Sequence, residues 1–157
     1  MEKKKLTTQQ ALKKIAHYCA YQERSHSAVR TRLFSYGLYA SEVEDLLSRL
    51  ITEGYLNEER FAKAYAGGKF RIKKWGRVKI TRELERHGLT PKCIRLGLQE
   101  IAEEDYGTTL KALLLKKYDK LEEANPHKKK EKLARYAIMK GYEPTLVWAI
   151  VADILPR

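Results

Sequence analysis

Cysteine is scarce: Cys19 and Cys93 are the only two in 157 residues, too few for a disulfide framework. Each lies in an apolar helical pattern, so both read as small buried hydrophobes in a reducing compartment. No stretch approaches the roughly 18–20 apolar residues of a membrane span. The opening from Met1 to Gln10 is charged and polar and has no apolar core, so it does not read as a secretory signal. The histidines His17, His26, His87 and His127 are scattered, and His17 and Cys19 stand two apart, which points them in different directions on a helix. No metal site is expected. A glycine-rich phosphate loop, a His-Glu-x-x-His pattern and a nucleophile elbow are all missing. Gly67-Gly68 falls inside an expected helix without the strand that a nucleotide loop needs. Glu58 and Glu59 are neighbours that diverge by about 100° on a helix, so they suit a positive helix start better than an acid–base pair. The reading is of a protein without catalytic residues or cofactor.

Acid is also in deficit. Thirty-two basic side chains face twenty acidic ones, a formal net charge of +12, which favours partners of negative charge and above all nucleic acid. Charged residues make up 33% of the chain, above the usual quarter, which suggests the high surface-to-core ratio of an elongated array.

What the chain has instead is a repeat. Gly37, Gly88 and Gly141 each close a helical pattern and precede an apolar residue, Leu38, Leu89 or Tyr142. Glycine just past a helix is the usual left-handed terminator because it lacks a β-carbon. Val29, Ile80 and Leu133 stand at one common position before the glycines, and Leu33, Leu84 and Ala137 stand one helical turn later. After the glycines, Val43, Ile94 and Val147 recur, then Leu47, Leu98 and Val151, then Leu50, Ile101 and Ile154. These offsets are helical, so each glycine joins two amphipathic helices. Gly97 departs from the bulky residues at Leu46 and Ile150.

A third helix precedes each pair. It carries Ala11, Leu12, Ile15, Ala16 and Cys19 in the first unit, Phe61, Ala62, Tyr65 and Lys69 in the second, and Leu110, Leu113, Leu114 and Tyr118 in the third. Asn57 and Thr90-Pro91 read as helix starts, Ser41 with Glu44 as a capping box, and Glu143-Pro144 as a further opening. The expectation is an all-α chain of about nine helices: an N-terminal tail at 1–5, then three-helix repeats at 6–54, 55–104 and 105–157. Units this small bury little alone, so their stacking should form a curved helical array.

The charge is unevenly placed. Lys69–Arg86 holds eight basic and two acidic residues, half of the whole excess. Helical projection sets Lys79, Arg82 and Arg86 opposite the buried Ile80 and Leu84, with Trp75 near the same side. Lys132, Arg135 and Met139 occupy the equivalent stripe of the third unit, and the uncharged Ala28, Thr31 and Ser35 that of the first. A merely solvated face would show no such grading. Lys69, Arg71, Lys73, Lys74, Trp75, Arg77, Lys79, Arg82, Arg86, Lys132 and Arg135 are therefore the candidate contact residues. Trp75 suits packing as well as base stacking, and Gly76 permits a sharp turn or the close approach of a partner's backbone. The run Lys128-Lys129-Lys130 after Asn125-Pro126 suits either a solvated helix start or a contact.

Two blocks carry a family resemblance. Gly54-Tyr55-Leu56-Asn57-Glu58-Glu59-Arg60-Phe61-Ala62 resembles the Gly-Tyr-Leu-[Asp/Asn]-Asp/Glu-x-Arg-Phe-Ala signature of the RecX family, bacterial regulators of the RecA recombinase. Lys74-Trp75-Gly76, followed by Ile80, Glu83-Leu84 and Gly88, resembles the second signature of that family. The third unit matches in pattern only and the N-terminal tail not at all. The resemblance implies three tandem three-helix repeats in a non-enzymatic, cytoplasmic protein. It implies binding to the RecA–DNA filament along its groove, usually with inhibition of ATP hydrolysis and strand exchange, and some affinity for single- or double-stranded DNA. No membrane partner is expected, and the chain is expected to be a monomer. The residues alone leave two other readings open: a direct DNA binder built on helix–glycine–helix units, and a scaffold for an acidic protein.

Overall fold

The computed structural model describes residues 5–155, so most of the N-terminal tail lies outside the described residues. Among them are nine α-helices and no strand: α1 (Thr8–Tyr21), α2 (His26–Ser35), α3 (Ala40–Thr52), α4 (Glu58–Gly68), α5 (Arg77–Arg86), α6 (Pro91–Leu98), α7 (Glu103–Lys120), α8 (Pro126–Met139) and α9 (Pro144–Ile154). The sequence pattern did not foresee the π-helical turn Lys69–Lys73 that follows α4.

The three repeat glycines do what their spacing requires. Gly37, Gly88 and Gly141 have φ of 83°, 80° and 102°, the left-handed region that glycine reaches without steric cost. At each, the glycine amide turns back to the helix just ended, Gly37 N to Phe34 O at 3.0 Å, Gly88 N to Glu85 O at 2.9 Å and Gly141 N to Ile138 O at 2.9 Å, and Leu89 N and Tyr142 N add bonds to Leu84 O and Ala137 O. Starts are capped by short polar side chains. Thr7 and Gln10 form a reciprocal box on α1, Asn57 Oδ1 accepts from Arg60 N at 2.8 Å, and Asn125 Oδ1 accepts from His127 N and Lys128 N. The box expected at Ser41 and Glu44 does not form. α3 begins at Ala40, so the residue three into the helix is Glu42, whose Oε1 accepts from Tyr39 N at 2.9 Å. Glu44 instead faces Arg30 at 2.8 Å.

The described chain packs as two compact units. The first holds the chain up to Ala64 together with Leu84–Gly97. In it α1, α2 and α3 pack on one another around Ala11, Ile15, Val29, Leu33, Val43 and Leu50, all fully buried. Gly97 belongs here for a steric reason. A β-carbon on it would lie 2.7 Å from the Ala62 carbonyl oxygen, so only glycine lets α6 approach α4 this closely.

The second unit holds Tyr65–Glu83 and the chain from Leu98 on. There α7, α8 and α9 pack on one another around Tyr106, Leu110, Leu114, Leu133, Ala137 and Val147. Two core positions are looser than the repeat predicts: Leu98 and Ile154 are only partly buried, each at the last residue of its helix. Cys19 is buried as expected. Cys93 is half-buried because it lies in the first turn of α6, beside the cap that Thr90 makes to its amide. No helix among the described residues is long and apolar enough to cross a membrane.

Candidate partner-binding surface

In the second unit, the Lys74-Trp75-Gly76 block is where the chain leaves the π-helical turn and enters α5. Lys74 caps that turn with φ 60°, the sole non-glycine residue with positive φ among those described. Its amide donates to Phe70 O at 3.1 Å and its carbonyl accepts from the Tyr142 hydroxyl at 3.0 Å. Gly76 then meets the turn between α8 and α9. Its amide donates to Lys140 O at 2.8 Å, while Val78 N donates to Gly141 O at 2.9 Å. A β-carbon on Gly76 would lie 2.3 Å from the Gly141 carbonyl. The close approach that Gly76 permits is thus to the chain's own backbone.

This junction rests on a buried polar hub. The Tyr106 hydroxyl accepts from Arg77 N at 2.9 Å and donates to Glu143. Its ring lies 5.8 Å from Phe70 and 5.0 Å from Tyr142. Arg77 lies over that ring at 3.9 Å and pairs with Glu103 at 2.5 Å and Glu143 at 2.9 Å. Burial, then the bond to Glu143, drives the Tyr106 phenol well above its ordinary pKa, so it stays a neutral donor. Arg77, counted among the candidate contacts, is therefore spent on holding α5 to α7 and α9.

Two lysines of this unit flank Trp75. The ammonium of Lys69 lies 5.0 Å from its ring centroid and that of Lys79 lies 4.4 Å from it. Lys140 lies nearby, half-buried, its Nζ donating to Lys73 O at 3.1 Å. Burial, then repulsion from Lys79 and Lys74, holds the Lys140 ammonium below the ordinary lysine range. None of Lys69, Lys74, Lys79 and Lys140 forms an ion pair with a carboxylate among the described residues. Like charges are gathered here without counter-ions, and a bound anion would relieve them. Sequence reasoning missed Lys140 because it follows α8 and lies outside the projected stripe.

The other candidates are dispersed. Arg71, Lys73, Arg82 and Arg86 are exposed, with Arg86 on the stretch of α5 that belongs to the first unit. Arg71 places its guanidinium against Gly67, where a β-carbon would lie 2.8 Å from it. Arg135 is exposed, whereas Lys132 pairs with Glu123 at 2.8 Å. Lys128-Lys129-Lys130 forms the ordered first turn of α8, with Lys129 over the Tyr118 ring at 4.0 Å.

The Gly54–Ala62 block, in the first unit, forms the connection from α3 and the first turn of α4. Gly54 ends α3 with φ 82°, and Leu56 is buried with its amide on Leu50 O. Arg60 donates to the Gly54 and Tyr55 carbonyls and pairs with Glu23. Glu58 accepts from the His26 amide. Phe61 lies edge-on to the His87 ring, centroids 5.3 Å apart.

Comparison with known proteins agrees with these two blocks. Residues 57–98 match the model of the second three-helix domain of RecX, and residues 103–151 match that of the third. The chain is 29% identical to a regulatory protein RecX of Halalkalibacterium halodurans over 88% of its own length and 52% of the relative's. It is 26% identical to that of Prosthecochloris aestuarii over 94% of its own length and 95% of the relative's. With several of these relatives, the Halalkalibacterium and Geobacillus kaustophilus proteins among them, it spans about half of their length. The crystal structure of RecX from Lactobacillus salivarius superposes with a TM-score of 0.81 at 17% identity, covering 94% of this chain and 96% of that one, a likeness of fold.

Proposed function

Because this chain belongs to the RecX family of regulatory proteins, we propose that it binds the RecA–DNA filament without catalysing a reaction itself and lowers RecA's ATP hydrolysis and strand exchange. The observation that carries this reading is the set of lysines around Trp75. Lys69 and Lys79 flank the Trp75 ring and Lys79 and Lys74 repel the half-buried Lys140 ammonium, with no carboxylate paired to any of the four, an arrangement that favours an anionic partner. The contact surface comprises these four with Trp75 and the exposed Arg71, Lys73, Arg82, Arg86 and Arg135. Arg77 and Lys132 are engaged in ion pairs within the chain. A filament presents both phosphates and acidic side chains to such a surface, so recognition is electrostatic and sensitive to salt.

A protein that merely coats DNA would also be basic. The two differ in stoichiometry. RecA ATP hydrolysis on single-stranded DNA, followed as the protein is added, should fall at concentrations well below those that coat the DNA alone. Inhibition that begins only where the protein saturates the DNA, and that excess DNA abolishes, would replace the filament reading with simple competition.

A further inference from the structure

The first unit carries a basic surface of its own. The stripe of α2 compared across the repeats is uncharged there, yet beside it α1 and α2 border an open groove of about 680 Å³, within the usual range of roughly 300–1,000 Å³ for ligand sites. Lys13, Lys14, His17, Tyr18 and Tyr21 of α1 recur at helical spacing along one wall. Arg32 and Tyr36 of α2 form the other, and Arg24 of the connection closes the end. No carboxylate lines the groove.

The guanidinium groups are held in place by stacking. Arg24 lies 3.7 Å and Arg32 lies 4.8 Å from the centroid of the Tyr18 ring. The Arg24 Nε donates to Tyr18 O at 3.0 Å, which fixes the plane and leaves its two terminal nitrogens for a ligand. Lys14 approaches the Tyr36 ring at 5.9 Å. Lys13, Lys14, Arg24 and Arg32 form no ion pair among the described residues. Tyr21 is 79% exposed, the most exposed large hydrophobic side chain among the described residues, with the Arg24 guanidinium 5.9 Å from its ring centroid.

We infer that this groove binds single-stranded nucleic acid, its cations taking the phosphates and the open face of Tyr21 stacking a base. Cations that follow a backbone, interleaved with aromatic rings that take successive bases, are the general chemistry of single-strand binding. A duplex keeps its bases stacked and gives Tyr21 nothing to cover. An acidic peptide would satisfy the cations but leave the ring bare. Every lining residue lies in the first unit, whereas the lysines around Trp75 belong to the second.

The test is binding of a fluorescently labelled oligothymidylate to the full chain by anisotropy, both in the parent and in a Lys79→Ala, Arg82→Ala background that weakens the other surface. Tyr21→Ala should weaken binding on the order of tenfold, and Tyr21→Phe should restore it. Lys14→Ala with Arg32→Ala should lower the dependence of affinity on salt by about 0.7 for each cation removed. Tyr21 is exposed enough that its loss leaves the fold intact, and unchanged helical circular dichroism and melting verify this. Oligonucleotide affinity unaffected by all of these groove variants would overturn the assignment. So would variants that lose the RecA filament but keep the oligonucleotide, because the groove would then hold protein. Loss confined to Lys79→Ala, Arg82→Ala would leave the filament surface standing and refute the groove.

Discussion

Gly76 and Gly141 meet backbone to backbone: a β-carbon on Gly76 would lie 2.3 Å from the Gly141 carbonyl, and one on Gly141 would lie 2.3 Å from the Lys79 β-carbon. The two glycines belong to different sequence blocks, 65 positions apart, and their contact sets where α5 and its lysines start. Gly76→Ala cannot be absorbed by a flexible side chain and should cost about 1–3 kcal/mol, as overpacking generally does. Gly68→Ala is the control. Nothing lies within 4 Å of a β-carbon there and the backbone is helical, so it should stabilise by about 0.5–1 kcal/mol. Denaturant midpoints for the two variants should move in opposite directions. A Gly76→Ala protein as stable as the parent would mean that the contact is not made.

Lys74 holds a left-handed conformation that costs an L-residue about 1–2 kcal/mol. Its side chain is exposed and makes no ion pair, so its identity serves no evident packing need. Lys74→Gly should therefore raise the denaturation midpoint while lowering affinity for RecA filaments. A variant that gains stability and keeps full affinity would place Lys74 outside the contact surface.

Leu84 is fully buried one turn after Ile80. Leu84→Ala should destabilise by about 2–5 kcal/mol, read from chemical denaturation. A loss below about 0.5 kcal/mol, the usual range for surface substitutions, would show that the helix presents a different face to the core.

Lys140 reports on the charge cluster directly. Burial first, then Lys79 and Lys74, lowers its pKa from the ordinary 10.5. Between the lowered value and 10.5 the unfolded chain holds the extra proton, so this group's contribution to stability rises with pH across that window. Nuclear magnetic resonance of the Lys140 side chain should show the depressed titration. Lys79→Ala should raise it partway, and a bound oligonucleotide or filament should raise it further. A titration indistinguishable from that of an exposed lysine would remove the crowding on which the surface is argued.

Much of this was legible in the residues, for identifiable reasons. The glycine register, Ile80 with Leu84 and the helix starts at Asn57 and Thr90 depend on local helical period and capping chemistry, which one sequence carries. The partners of Gly76, Tyr106 and Lys140 do not. Each is fixed by contacts across the second unit, where the chain between α8 and α9 returns to the start of α5. Tyr106 was nevertheless within reach, since it stands one turn before Leu110 and two before Leu114 on the same buried stripe. The groove of the first unit left a signal too. Lys14, Tyr18 and Tyr21 follow the same helical spacing as the core of α1, but along its flank, and a search for buried faces alone passes over them.

The central claim is that the basic face of α5 and its surroundings hold the recombinase filament. Lys79→Ala, Arg82→Ala and Arg86→Ala together remove three of its cations and keep the β-carbons, including the one on Lys79 that lies by Gly141. Removing a cation that touches phosphate lowers the salt slope of DNA binding by about one unit. The direct measurement is the affinity of this triple variant for RecA–DNA filaments across a salt series, beside a control altered at Ala28, Thr31 and Ser35 on the corresponding face of α2. The account predicts unchanged helical content, greatly weakened filament binding and a shallower salt slope for the triple variant, with the control close to the parent. A triple variant that binds and inhibits like the parent while the control loses activity would contradict it.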